Sequence, residues 1–276
     1  MIPKIAISEA KKARIIDKAG HLGVGLGAKY GGCAPITFAA ICEAFESEGI
    51  ELFSPETKET IIQGMLGLHG GVGMTGVGTC GAITSSAFAI SCVIGVTTKD
   101  LEKNPTLNSV PAVTVVEDIM DRFEETYGAT DCLKLRYNRV QRTFDFLDPD
   151  ATVWEVIFAA SQPNKCGMFA NCYKCGSDQV MPAVGAMWAA ESICDLLRKT
   201  PAERKKLPAH LQGYNFQDLI PKAQKVAAFL KELGIGQPEQ KISWREYRKF
   251  KLAGKKGLEE SRPCGVDAPG KKRSKK

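Results

Sequence analysis

From Thr60 to Thr98 the chain carries no Asp, Glu, Lys or Arg. In the middle of that run lies Gly70-Gly71-Val72-Gly73-Met74-Thr75-Gly76-Val77-Gly78-Thr79-Cys80-Gly81-Ala82. A glycine-rich turn therefore delivers one cysteine to the start of an apolar segment, Ala82 to Val96. A helix N-terminus offers free backbone N–H groups and the positive end of the helix dipole, and both favour a thiolate over a thiol. A low-pKa thiolate is either a nucleophile or a metal ligand, so the role of Cys80 decides most of what this chain can do.

The uncharged run does not read as a membrane span. Ala82 to Val96 falls short of the roughly 20 apolar residues needed to cross a bilayer, and Ser85, Ser86 and Ser91 interrupt it. It reads as a buried helix with small faces. The start, Met1 to Lys12, has no apolar signal region, so the expectation is a cytoplasmic chain with reduced thiols. Ten cysteines in 276 residues are too few for a disulfide scaffold, which favours metal or catalytic roles. The net charge of +6 is uneven: residues 241–276 hold thirteen Lys/Arg against four Asp/Glu, leaving a mildly acidic body with a basic tail.

The pattern predicts an all-α fold, a multi-helix bundle in which glycine-rich loops present cysteines at helix N-termini. The first helix runs over 8–20 and stops at Gly20. A second opens around Pro35, with Phe38, Ile41, Cys42 and Phe45 at helical spacing. A third runs from Pro55 through Leu66, and a fourth begins at Cys80. A fifth is predicted to start at the capping-box pattern Thr114 to Glu117, to bury Val116, Ile119, Met120, Phe123 and Tyr127, and to stop at Gly128. Val153 to Phe158 forms a helix or short strand, and Asp178 to Leu197 and Phe216 to Leu233 form further helices. The implied organisation is a cysteine-rich redox domain over 1–200, a helical extension over 201–240, and a basic, partly disordered tail over 241–276.

Four cysteines fall at inferred helix starts: Cys33 after Gly31-Gly32, Cys80, Cys132 with Asp131 as N-cap, and Cys175 before the long helix. Cys42, Cys92 and Cys194 lie mid-element and read as core. Cys166, Cys172 and Cys175 form a C-x5-C-x2-C group, which suits zinc, an iron–sulfur site or a thiol–disulfide couple. Glycine follows Cys175, so the covalent-haem pattern C-x-x-C-H is absent and no covalent haem is expected. His69 borders the Cys80 loop and is a candidate for a role there; His21 and His210 are not. The loop lacks a phosphate-binding lysine and a surrounding βαβ unit, which argues against a nucleotide site. Asp145, Asp148 and Asp150 read as a solvated turn capping the next helix, and the tail as a solvated basic segment, so nucleic acid is not an expected partner.

Gly32-Cys33-Ala34, the G-G-x-G-x-x-G-x-x-C-G-A loop at 70–82, and Arg122-Phe123-Glu124-Glu125-Thr126-Tyr127-Gly128-Ala129-Thr130-Asp131-Cys132 together resemble the C_GCAxxG_C_C family, described as redox-active. The resemblance covers roughly residues 30–195. A similar domain accompanies haems in split-Soret-type cytochromes c, where it is linked to an iron–sulfur centre. The glycine closing the family's C-G-A-x-x-G is Ser85 here. The resemblance implies a site built from Cys33, Cys80, Cys132 and one of Cys166, Cys172 and Cys175, of which Cys175 is chosen because a helix follows it and the other two are added candidate ligands, with Gly73, Gly76, Gly78 and Gly81 bringing backbone N–H groups to bound sulfur. On that reading the chain binds an iron–sulfur cluster and exchanges electrons with an oxidoreductase or another electron-transfer protein, and a homodimer is a further candidate assembly. Two rivals stand beside it: a dithiol oxidoreductase using Cys172 and Cys175, or Cys80 with a resolving partner, and a structural zinc module with the tail as binding arm.

Overall fold

The computed structural model describes residues 2–140 and 180–207, with isolated positions at 145, 147–148, 150–151, 224–225 and 228. Ser8 caps the first helix, α1 (Glu9–Gly25), by accepting the Lys11 N–H at 3.2 Å. The helix runs through Gly20 instead of stopping there. Packing explains the difference: a Cβ on Gly23 would lie 2.4 Å from the Ala183 Cα, so the glycine admits a neighbouring helix, and tertiary contact overrides its poor helix propensity. After a short turn of helix, α2 (Gly27–Tyr30), α3 (Cys33–Glu46) begins at Cys33 itself, with Pro35 in its first turn. Then come α4 (Pro55–Met65), capped by Ser54, and a 3-10 turn, Leu66–Leu68.

The apolar half of the uncharged run forms α5 (Gly81–Ile94), with Cys80 as its N-cap. A short helix unforeseen from the sequence, α6 (Thr98–Lys103), starts at a capping box between Thr97 and Asp100. The next helix, α7 (Pro105–Tyr127), starts well before Thr114 and carries Pro111 inside it. The Thr114 hydroxyl accordingly donates to the Val110 carbonyl at 3.0 Å, one turn back, and caps nothing. Of the predicted apolar face, Ile119, Phe123 and Tyr127 are buried while Val116 and Met120 are only half-buried, and Gly128, at φ 67°, ends the helix. The remaining described helices are α8 (Cys132–Val140), α9 (Met181–Leu197) and α10 (Pro201–Arg204). There is no strand among the described residues, only an isolated bridge between Thr79 and Asp131. The fold is all-α.

Helices α1, α3, α5 and α9 pack together around one core, and α7 lies against α5. Phe38, Phe45 and Phe123 are fully buried, each contributing about 2–3 kcal/mol. Phe123 meets Trp188 edge-on, with centroids 4.9 Å apart. Small residues let α5 and α9 approach closely, and Ser86 in their contact donates to the Ala82 and Gly185 carbonyls at 2.7 and 2.9 Å. Arg204 closes the body from the far side: its guanidinium donates to the carbonyls of Leu196, Ile2, Pro3 and Val93 at 2.8–3.3 Å.

Cys42 and Cys194 lie in this core as expected, and burial raises both thiols, Cys194 to about 12. Cys92, expected there too, is exposed. Helix α5 is apolar nearly all the way round, so periodicity could not choose its inner face. No helix among the described residues is long and apolar enough to cross a membrane. The predicted elements Val153 to Phe158 and Phe216 to Leu233 and the tail 241–276 lie outside the described residues, apart from Gln224, Lys225 and Ala228, which are helical and exposed.

Candidate thiol site

The glycine loop is held by its own backbone. Gly73 N–H bonds to Gly67 O, Gly76 N–H to Gly70 O and Gly78 N–H to Gly71 O, at 2.8–3.1 Å. Val72 and Met74 take left-handed conformations, φ 63° and 60°, which side-chain-bearing residues rarely adopt. The loop then bonds across to the chain leaving α7: Cys80 N–H to Thr130 O at 2.9 Å, Cys132 N–H to Gly78 O at 3.0 Å and Leu133 N–H to Gly76 O at 2.9 Å. Asp131 caps α8 by accepting the Lys134 N–H at 2.9 Å.

Three cysteines far apart in sequence thereby reach one loop, each at a helix start. Cys33 is the first residue of α3, Cys80 the N-cap of α5 and Cys132 the first residue of α8. Cys33 and Cys80 touch, and their protons are unequally held. The Cys80 thiol donates to Cys33, and backbone N–H groups of Gly70 and Gly81 and the charge of His69 assist, so Cys33 drops to about 6 although its partial burial opposes the fall. Cys80 is pushed up by that same bond, by burial and by the negative charge of Cys33 and Cys132. The arrangement is a thiolate at Cys33 hydrogen-bonded by a thiol at Cys80.

Close approach is built into the backbone. A Cβ on Gly81 would lie 2.5 Å from the Cys33 Sγ, and one on Gly71 would lie 3.0 Å from the Cys132 Cβ. Of the other glycines expected to face sulfur, Gly76 and Gly78 accept the α8 N–H groups through their carbonyls, and Gly73 bonds back within the loop. Ser85, where the resemblance expects glycine, is buried and donates to the Ala34 carbonyl at 2.8 Å, tying α5 to α3 directly behind Cys33.

His69 packs against Gly32, and its Nδ1 pairs with the Leu66 carbonyl. His21 is exposed and pairs with its own helix through the Asp17 carbonyl at 2.9 Å. Asp148 accepts the Asp150 N–H at 3.0 Å, a capping turn. One residue escaped the sequence reading. Arg136, one turn after Cys132 in α8, is buried; burial lowers its pKa to about 10 while the Cys132 charge opposes that fall. The spacing C-x3-R on a helix was the available signal.

Cys166, Cys172, Cys175 and His210 lie outside the described residues. Among the described residues, no group of three or more His, Cys, Asp or Glu side chains is gathered tightly enough to hold a metal ion. What the described thiols offer a soft metal is a donor set of the right chemistry, N–H groups already directed at sulfur, and a glycine at the point of closest contact.

A family model described as "Putative redox-active protein (C_GCAxxG_C_C)" matches residues 32–177, more than half of the chain. The chain belongs to the C_GCAxxG_C_C family. The matched span begins one residue before Cys33 and takes in Cys80 and Cys132, so this family member carries the three convergent thiols within the redox-active region. Neither a curated protein nor a solved structure matches the chain.

Proposed function

We propose that this redox-active family member is an electron carrier whose centre is an iron–sulfur cluster held by Cys33, Cys80, Cys132 and one thiolate of the Cys166, Cys172 and Cys175 group, Cys175 first among them. The observation that carries the reading is the convergence of three thiols on one glycine loop from three helix N-termini, one more than a dithiol needs. A bound cluster supplies one-electron chemistry at a potential set by charge, hydrogen bonds to sulfur and solvent exposure. The chain's own part is then clear. Gly70 and Gly81 N–H groups stabilise negative charge on the Cys33 sulfur. The apolar wall of α5 excludes water from one side, and Arg136 adds a buried positive charge beside Cys132. The physiological partner is an oxidoreductase or another electron-transfer protein, in a reducing compartment such as the cytoplasm.

Iron and sulfide analysis of protein purified without oxygen, with its visible spectrum, tests this. Stoichiometric iron and sulfide with bleaching on reduction supports it; a colourless, iron-free and sulfide-free protein overturns it.

The Cys33–Cys80 contact favours a second reading, a dithiol couple formed by this pair instead of Cys172 and Cys175. The Cys33 thiolate attacks a disulfide of a protein partner to give a mixed disulfide and a partner thiolate. The Cys80 thiolate, after losing its proton, then attacks the Cys33 sulfur. The products are a Cys33–Cys80 disulfide and a partner dithiol. Peptide mapping after mild oxidation distinguishes the readings: a Cys33–Cys80 cross-link in metal-free protein supports the couple, and unlinked thiols refute it. Stoichiometric zinc without redox change would point instead to the structural module.

A further inference from the structure

Helices α5 and α7 leave an open groove between them of about 660 Å³, floored by Thr84, Phe88 and Ser91 of α5 and by Ala112, Val116 and Met120 of α7. Its lining is mostly apolar, and two large side chains on it, Phe88 and Val113, are 38% and 58% exposed. A face of this kind on a single chain calls for an occupant. The α7 wall also carries charge. Glu117 lines the groove, and Asp121 and Glu124 follow it at helical spacing, all exposed. Asp118, by contrast, is engaged by Arg122 at 3.0 Å. The occupant should therefore be an amphipathic segment with an apolar stripe and basic flanks.

The chain itself supplies one. In residues 216–233, Ala223, Val226, Ala227, Leu230 and Leu233 fall on one helical stripe, with Lys222 and Lys231 at its two edges. Gln224, Lys225 and Ala228, which fall opposite that stripe at helical spacing, are helical and exposed. The chain also leaves the body in the right place. Lys205 bonds Asp100 of α6 at 2.7 Å, and the Asp100 carbonyl accepts from Asn108 of α7, one turn before Ala112 at the groove's edge. From Leu207 to Phe216 is a tether able to span roughly 30 Å when extended. Over so short a tether the effective concentration is in the millimolar range, about a thousandfold above a second copy or a protein partner at micromolar concentration.

The geometry points to residues 216–233 docking as a helix in the α5–α7 groove, with the apolar stripe on Phe88 and Val116 and with one lysine edge of that stripe against the Glu117–Asp121–Glu124 edge. The docked helix starts at the α6 end of the groove and runs toward Thr84, one turn from Cys80. An isolated segment of this length would be at best a marginal helix in water, so protection of its amides reports docking.

Hydrogen exchange of the full chain, followed by mass spectrometry with light scattering alongside, tests this. The wild type should show amides 223–233 exchanging at least tenfold slower than in a free peptide of the same sequence. Both Val113→Glu and Leu230→Glu should abolish that protection while α1 and α3 amides stay protected, which shows the body intact. Peptide-like exchange in the wild type overturns the proposal, as does protection that survives Val113→Glu. Protection that disappears on dilution together with a dimer overturns it in favour of a second copy.

Discussion

Replacing Cys80 with alanine removes the largest influence holding Cys33 at about 6. If the substitution returns Cys33 to an ordinary value near 9, its thiolate fraction at pH 7 falls from about nine-tenths to about one-hundredth, a roughly 90-fold loss. A more basic thiolate is also more nucleophilic. With a Brønsted slope of about 0.4–0.5, three pH units return a factor of about 16–32. The rate of alkylation at pH 7 should therefore fall only about 3–6-fold, and a single-pH measurement would understate the change. The midpoint is the informative quantity. In metal-free, reduced protein, iodoacetamide labelling of Cys33 read by peptide mass spectrometry from pH 4.5 to 10 should show a midpoint near 6 in the wild type. In Cys80→Ala the midpoint should move up by as much as three units, less whatever the Gly70 and Gly81 N–H groups and His69 retain. The sign is fixed by the geometry: a lost donor to the thiolate can only raise its pKa. A wild-type midpoint near 9, or one unmoved by the substitution, would refute the thiolate–thiol arrangement.

Gly81→Ala places a Cβ 2.5 Å from the Cys33 Sγ and 3.0 Å from the Ala34 N; although alanine is the better helix former, the substitution should destabilise by about 2–3 kcal/mol in denaturant unfolding and raise the Cys33 midpoint. Val72→Gly relieves a left-handed β-branched residue and should stabilise by about 0.5–1 kcal/mol, a gain visible as a higher melting temperature. Arg204→Met strands four carbonyls that the guanidinium now holds; a loss of about 3 kcal/mol with unchanged Cys33 labelling should separate this fastening from the thiol site. Arg136→Leu removes a buried positive charge beside Cys132 and should raise the Cys132 labelling midpoint while leaving that of Cys33 in place.

What the sequence disclosed, it disclosed through local chemistry. Gly32 and Asp131 mark the starts of α3 and α8 and Gly128 the end of α7, because caps and left-handed glycines are decided by neighbouring backbone groups. That three of the predicted helix starts carry cysteines was legible for the same reason. What stayed hidden depends on partners far along the chain. Gly20 looks like a stop, yet α1 runs on to Gly25, and the close approach of α9 at Gly23 shows what carries it through. The Thr114 to Glu117 pattern looks like a helix start, but α7 already runs from Pro105 and continues through Pro111, so the pattern lies mid-helix. Cys92 could not be assigned a face on a helix apolar all round. The contact that sets the acidity of Cys33 joins residues 47 positions apart, and no spacing rule reaches that far.

The placement of α9 has a consequence for how the molecule is made. The helix packs against α1, α3 and α5, and Arg204 fastens the N-terminal residues only after it. At about 5–20 residues per second, Cys132 leaves the ribosome several seconds before Leu197 does. During that interval the three thiols exist without the helix that completes the bundle behind them. The nascent chain thus meets its oxidants, metal donors and chaperones with an unfinished wall, and synthesis order opens a window that the folded protein closes.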